Sequence, residues 1–303
     1  MTRIFLRPAL LLLIMVHLVI VGAMLASQIW LSHTPVLAVT SWTARHADIL
    51  LIDLTHNFVT ALTDSPGVDR DPSWSIDGER IIYTSWRSDL PLLYTTNSDG
   101  RDNAVFTDDR QLGLNPVWSP DGSQIAFVAW ANNRMVISLI ASEAPKAVAR
   151  PLLDGLACCP VLSWSPDGRE IIFNGILNER PGLYRVDTES GAVRSLTTID
   201  TGIAPTWSPD GSQIAFWLRI QDGFRLYVMD AEGENARPII ERLARDPAMA
   251  WLPDSSGAAY VYFENGTYVI NIVSVADETV STVYTHGSAR IETLAWQPGS
   301  RLP

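Results

Sequence analysis

The sequence predicts an all-β chain folded as a six-bladed β-propeller, preceded by one apolar N-terminal helix. Three observations carry that expectation. The stretch Trp118-Ser119-Pro120-Asp121-Gly122, followed by Ser123-Gln124-Ile125-Ala126-Phe127, joins two apolar runs through a tight turn. The same text returns at intervals of 44, 46, 43, 44 and 45 residues through Trp74, Trp118, Trp164, Trp207, Trp251 and Trp296. Finally, the repeats leave three unassigned strands at the N-terminal end and one at the C-terminal end, which together make one more blade.

The turn follows from its residues. In Ser-Pro-Asp-Gly the proline presets φ near about −65° at the second position, Asp bonds its own backbone, and Gly closes a type I turn. Apolar runs on both sides make this a β-hairpin with Trp ending its first strand. The turn pairs are Asp77 and Gly78, Asp121 and Gly122, Asp167 and Gly168, and Asp210 and Gly211. The text loosens at Trp251-Leu252-Pro253-Asp254 and at Trp296-Gln297-Pro298-Gly299. A period this long, with several short strands per unit, is that of propeller blades.

In chain order, residues 1–8 carry Arg3 and Arg7 and no acidic residue, and residues 9–31 are almost wholly apolar. As a helix that run spans about 30 Å of hydrocarbon, so it reads as an uncleaved signal anchor. Cleavage after Ala26 or Ala38 is the alternative, leaving a secreted or periplasmic chain. The two arginines place the N-terminus in the cytoplasm and the propeller outside. Residues 32–35 form a short connector, and residues 36–303 form the propeller. Within it Val36–Trp42, Ile49–Leu54 and Phe58–Leu62 read as strands without an innermost partner, and Ile291–Trp296 supplies that partner, closing the ring and removing its exposed edges. Five further blades run from Asp71, Asn115, Pro160, Ala204 and Pro247. The second reads as Pro72–Ser75, Arg80–Trp86, Leu92–Thr96 and Asn103–Thr107.

The motif Pro-x-Trp-Ser-Pro-Asp-Gly-x-x-Ile-Ala-Phe, with Phe224-Arg-Leu-Tyr-Val-Met-Asp230 and Gly182-Leu-Tyr-Arg-Val-Asp187 as second halves, resembles the TolB-type, WD-like β-propeller repeat. The likeness covers roughly residues 36 to 300. It implies a bacterial envelope protein that works through partner proteins. The family's namesake carries an additional N-terminal domain, where this chain has its apolar segment. Some related propellers precede a hydrolase domain, whereas this sequence ends with its last strand.

Charge narrows the partners. The chain holds 33 acidic against 22 basic residues, a net charge of −11, and without Arg3 and Arg7 the propeller is more negative still. That argues against nucleic acid, whose binders present a basic face. A protein or peptide of the envelope, or a polar small molecule, fits better, with the propeller itself monomeric.

The A–B turns occupy one face, leaving the D–A and B–C connections on the other, where turn chemistry is irregular and binding residues gather. Arg70, Asp71, Arg87, Asp109, Arg110, Arg245 and Asp246 lie there; arginine gives bidentate contacts to carboxylates, and salt bridging between blades is the competing use. Trp86 and Trp130, in step with Trp42, either stack on a ligand or pack between blades. Cys158 and Cys159 read as a vicinal disulfide or as two buried thiols. Asn97 to Asp102 echoes a calcium loop but serves an ordinary turn and lacks the terminal glutamate. No metal or cofactor is expected, and no catalytic motif appears; a Ser-His-Asp arrangement through His46, His56 or His286 is left to spatial assembly. The expected function is a non-enzymatic binding module at the envelope. A hydrolase or lyase for sugars or peptides, and a structural or sensory ectodomain, are the alternatives.

Overall fold

The computed structural model describes residues 34–43, 46–131, 134–156, 160–196 and 202–300. It contains six antiparallel sheets of four strands. Blade 1 takes strand A from the C-terminal end, Arg290–Trp296, and strands B to D from Val36–Trp42, Ala47–Asp53 and Phe58–Ala61. Leu37 faces Trp296, Val39 faces Leu294 and Thr40 faces Thr293. The expected closure by the two ends of the propeller is therefore present. Blade 2 comprises Asp69–Trp74, Arg80–Ser85, Leu92–Asn97 and Ala104–Val105; blade 3 comprises Gly113–Trp118, Gln124–Ala131, Arg134–Ala141 and Arg150–Leu156. Blade 4 comprises Leu162–Trp164, Glu170–Leu177, Arg180–Asp187 and Val193–Ser195; blade 5 comprises Gly202–Trp207, Gln213–Ile220, Gly223–Asp230 and Arg237–Pro238; blade 6 comprises Met249–Trp251, Gly257–Glu264, Thr267–Ser274 and Val280–Gly287. The membrane-helix expectation falls on residues 9–31, outside the described residues; among the described residues no helix is long and apolar enough to cross a membrane.

The A–B turns are built as the motif implies. Gly78, Gly122, Gly168 and Gly211 each donate N–H to the serine three residues earlier at 2.9 Å, with φ between +69° and +73°. That left-handed conformation is the one glycine adopts without steric cost. In blade 6 Ser255 takes the same place at φ +62° and bonds Leu252 at 2.9 Å, so the turn there keeps its geometry although its text has loosened. The serine hydroxyl donates to the turn aspartate, as from Ser119 to Asp121 at 2.6 Å, and accepts the N–H of Gln124 at 2.9 Å.

Hydrogen bonds from Ser75, Ser119 and Ser165 hold Asp77, Asp121 and Asp167 below the ordinary carboxylate range. The backbone N–H of Ser212 and the hydroxyl of Ser256 do the same for Asp210 and Asp254. A depressed native value means that the unfolded chain binds more protons, so this stabilisation is present at neutral pH and is lost as pH falls through about 4 and below. The midpoint of urea unfolding is expected to drop between pH 6 and 3, and to drop less when Asp77, Asp121, Asp167 and Asp210 are asparagine. Equal pH dependence in both proteins contradicts this role.

Successive blades interlock through the repeated tryptophans. The indole N–H of Trp74, Trp164 and Trp251 donates to the carbonyl oxygen of Ala295, Val117 and Thr206 in the preceding blade at 3.2, 3.3 and 2.9 Å. Trp118 and Trp207 instead offer their backbone N–H to the hydroxyls of Ser73 and Ser163. Apolar clusters fill the wedges between blades; one joins Trp217 and Leu226 of blade 5 to Met249, Trp251 and Tyr260 of blade 6.

Strand A of blade 2 starts at Asp69, three residues before the expected Pro72, so Asp69, Arg70 and Asp71 belong to the strand rather than to a loop. A bulge makes this compatible with proline, which has no N–H to give the ladder. The register slips between Arg70 and Ser73, Leu114 and Val117, and Ile203 and Thr206, and at these places Asp71, Asn115 and Ala204 adopt φ of 58°, 51° and 48°. The bulges re-aim the inner strands near their ends.

Candidate functional site

In a four-stranded antiparallel meander the A–B and C–D links share one end and the B–C and D–A links the other. The second end carries the irregular face. There a chain of charged groups crosses blades 6, 1 and 2. Tyr268 Oη donates to Asp246 Oδ2 at 3.0 Å, and Arg290 Nε donates to Asp246 Oδ1 at 2.9 Å. Arg290 also approaches Glu292 at 4.0 Å, Arg70 lies 3.7 Å from the same carboxylate, and Arg70 Nε donates to Asp71 at 2.8 Å. The Trp42 indole N–H donates to Glu292 as well.

Position in the strands explains this order. Arg290 and Glu292 lie two apart at the head of the closing strand, where the register against Val36–Trp42 slips and leaves Glu292 without a partner position. The bulge at Asp71 turns its backbone N–H toward Thr40 Oγ1 at 3.2 Å, and Thr40 Oγ1 in turn meets Thr293 Oγ1 at 2.6 Å. Burial pushes the Asp71 carboxyl up, Arg70 opposes that, and Glu292 adds to it. Burial, then Asp246, raises the Tyr268 phenol. The Arg290 side chain stays 45% exposed while making these bonds, which leaves it open to an incoming acceptor.

The sequence-derived site residues separate into three groups. Arg70, Asp71 and Asp246 enter the charged chain. Arg245 is exposed beside it, with its guanidinium 5.1 Å from the Phe263 ring; its neighbour Asp246 pairs with Arg290. Arg87 is taken up structurally: it donates to buried Asp69 at 3.0 Å and to Tyr83 Oη at 2.7 Å, and lies over the Tyr94 ring. The Tyr83 phenol is pushed up to about 12, chiefly by burial. Arg110 folds back on Asp108 at 3.0 Å, beside exposed Asp109.

The three tryptophans form no continuous platform. Trp42 is partly buried against Glu292, partly buried Trp86 lies under Arg70 at 6.0 Å, and Trp130 is 45% exposed. Trp130 lines a separate apolar cleft of about 320 Å³ with Pro91, Leu112, Leu114 and Met135. Cys158 and Cys159 lie outside the described residues.

Sequence reasoning missed Arg290, Glu292 and Tyr268. The available signal was Arg290-Ile291-Glu292 at the head of the one strand with no blade of its own.

The parts of a nucleophilic triad do not converge among the described residues. His46 meets Asp48 at 3.0 Å and His56 meets Asp53 at 2.7 Å, while His286 meets buried Ser41 at 2.9 Å. Burial lowers the His286 value. No group of three or more His, Cys, Asp or Glu side chains is placed to hold a metal among the described residues.

The TolB β-propeller domain model matches residues 22–146 and 160–302, most of the chain and every blade strand except Arg150–Leu156. This chain belongs to the TolB β-propeller family. It is similar to the Tol-Pal system protein TolB of Bordetella pertussis (strain Tohama I), 49% identical over 41 residues. That match spans 14% of this chain and 9% of the Bordetella protein. Among solved structures it resembles TolB from Acinetobacter baumannii, with TM-score 0.78 and 20% identity over 88% of this chain and 67% of that one. An oligogalacturonate lyase in complex with manganese shares the fold less closely, with TM-score 0.56 and 15% identity over 83% and 73% of the two chains. At such identities these structures establish the TolB-type fold alone.

Proposed function

We propose that this TolB-type propeller is a non-enzymatic binding module of the cell envelope, held by its N-terminal segment and engaging a partner protein or peptide. The observation that carries the reading is the charged chain across blades 6, 1 and 2. Its carboxylates are engaged by arginines, and Arg290 and Arg245 still face solvent. Groups fixed by mutual bonds lose little freedom when a partner docks, so more of each new contact appears as affinity. A catalytic carboxylate needs access to its substrate, and Glu292 and Asp246 are already occupied by Arg70, Arg290, Trp42 and Tyr268. Family membership supports the envelope setting, and the Tol-Pal system named for the Bordetella relative makes protein partners the natural class. A photo-activatable residue at position 245 is expected to cross-link a discrete partner in intact cells, and one at exposed Ser256, on the A–B turn of blade 6, is not.

A further inference from the structure

On the A–B turn face two of the six repeated tryptophans, Trp118 and Trp207, carry a guanidinium from the preceding blade over their rings. Arg80, the first residue of strand B in blade 2, reaches into blade 3; its guanidinium lies 5.2 Å from the Trp118 ring and donates to Glu143 at 2.7 Å. Between blades 4 and 5, Arg185 covers Trp207 at 6.0 Å, bonds Glu170 at 3.1 Å and donates to Ala231 O. Trp118 and Trp207 are 8% and 9% exposed. In both cases an internal guanidinium lies over the blade tryptophan and is fixed by oxygen acceptors.

Between blades 3 and 4 the acceptors remain and the cation is missing. Glu189 follows Trp164 by 25 residues, as Glu143 follows Trp118. Gln124 begins strand B of blade 3, as Arg80 does in blade 2. Leu139 stands at the register position of Arg185, since Ala126 and Ile172 are their respective partners on strand B. Trp164 is only partly buried and walls an open cavity of about 440 Å³. Asp121, Asp167 and Glu189 line the cavity against a single cation, Arg150, which donates to Thr188 O at 2.7 Å. Hydrogen bonds from the turn serines hold the Asp121 and Asp167 carboxyls below their ordinary range, and both are anionic at neutral pH.

We propose that this cavity binds a guanidinium group, supplied by an arginine side chain of a peptide or by a free arginine-like molecule, in the place that Arg80 fills one blade earlier. The planar cation takes the face of Trp164 and donates to Glu189, as Arg80 does to Trp118 and Glu143. A guanidinium suits the site better than an ammonium because it stacks on an aromatic face while donating in its own plane. The site lies on the face opposite the charged chain and does not depend on the role proposed for that chain.

The test titrates the full chain with N-acetyl-arginine amide and, separately, with the uncharged isostere N-acetyl-citrulline amide. The indole N–H resonance of Trp164, assigned through Trp164→Phe, reports the site. The arginine amide is expected to shift that resonance and to bind about tenfold more tightly than the citrulline amide, the scale of a cation–π contact plus one exposed ion pair. Gln124→Arg rebuilds the internal guanidinium and is expected to abolish the shift without lowering the thermal midpoint; Glu189→Gln weakens it. Free L-arginine distinguishes the sources: equal binding means that the guanidinium alone is read, and tighter binding means that the free amino acid is the preferred form. Equal affinity for both amides, no shift with either, or binding unaffected by Gln124→Arg overturns the proposal.

Discussion

Trp217→Ala is expected to cost about 3–5 kcal/mol, a large share of the stability of an ordinary domain. Trp217 is fully buried in strand B of blade 5 and meets Tyr260 of blade 6 edge-on, with centroids 6.4 Å apart and planes at 64°. Truncation removes the transfer free energy of the indole and leaves a cavity in a wedge closed by two rigid sheets, where collapse is limited. The indole N–H of Trp217 has no partner among the described residues, so phenylalanine retains most of the packing and loses no hydrogen bond. Trp217→Phe is accordingly expected to cost less than about 1.5 kcal/mol. Urea unfolding measures both, and equal losses would show that the wedge does not carry the blade 5–blade 6 contact.

Deleting residues 290–303 is expected to have a larger effect still. The closing strand buries Ile291 and Leu294 and pairs with Val36–Trp42 at six positions. Two buried aliphatic side chains contribute about 3–6 kcal/mol. About six ladder bonds add a further ~3–9 kcal/mol. Together these match the whole stability of an ordinary domain, about 5–15 kcal/mol. The deletion also leaves Val36–Trp42 as an open, largely apolar edge, which invites pairing between chains. The truncated chain is expected to elute as aggregates and to show no cooperative melt, whereas a circular permutant that joins strand A to strand B of blade 1 folds. A stable truncated monomer would contradict closure as the stabilising device.

Much of this architecture was legible in the sequence, for a physical reason. Each blade repeats one local solution, a Trp-ended strand and a Ser-x-Asp-Gly turn whose glycine takes positive φ, and local chemistry of that kind is written in consecutive residues. Closure was legible too, because a strand without a blade at one end and a blade without its inner strand at the other have one economical pairing. The start of strand A in blade 2 was misplaced because Pro72 marks the end of regular pairing in sequence, whereas a residue at positive φ beside it lets the strand continue as a bulge.

The candidate site was legible only in part. Arg70, Asp71, Arg245 and Asp246 announced themselves as loop charges, but their partners are set by which blades become neighbours. Asp246 bonds Arg290, 44 positions away, and Arg70 approaches Glu292 from the opposite end of the sequence. Arg87 illustrates the converse: its loop position suggested a ligand contact, while Tyr83, Tyr94 and Asp69 around it make it part of blade 2.

The most direct test places a photo-activatable residue at Arg245 and, separately, at Ser256 on the A–B turn of blade 6, and compares adducts in intact cells with and without Arg290→Ala. A discrete adduct from position 245 that fades when Arg290 is alanine is expected, with the purified variant still melting cooperatively, and none from position 256. An adduct from position 256 alone, or one from position 245 indifferent to Arg290, would contradict the assignment of binding to the face spanned by blades 6, 1 and 2.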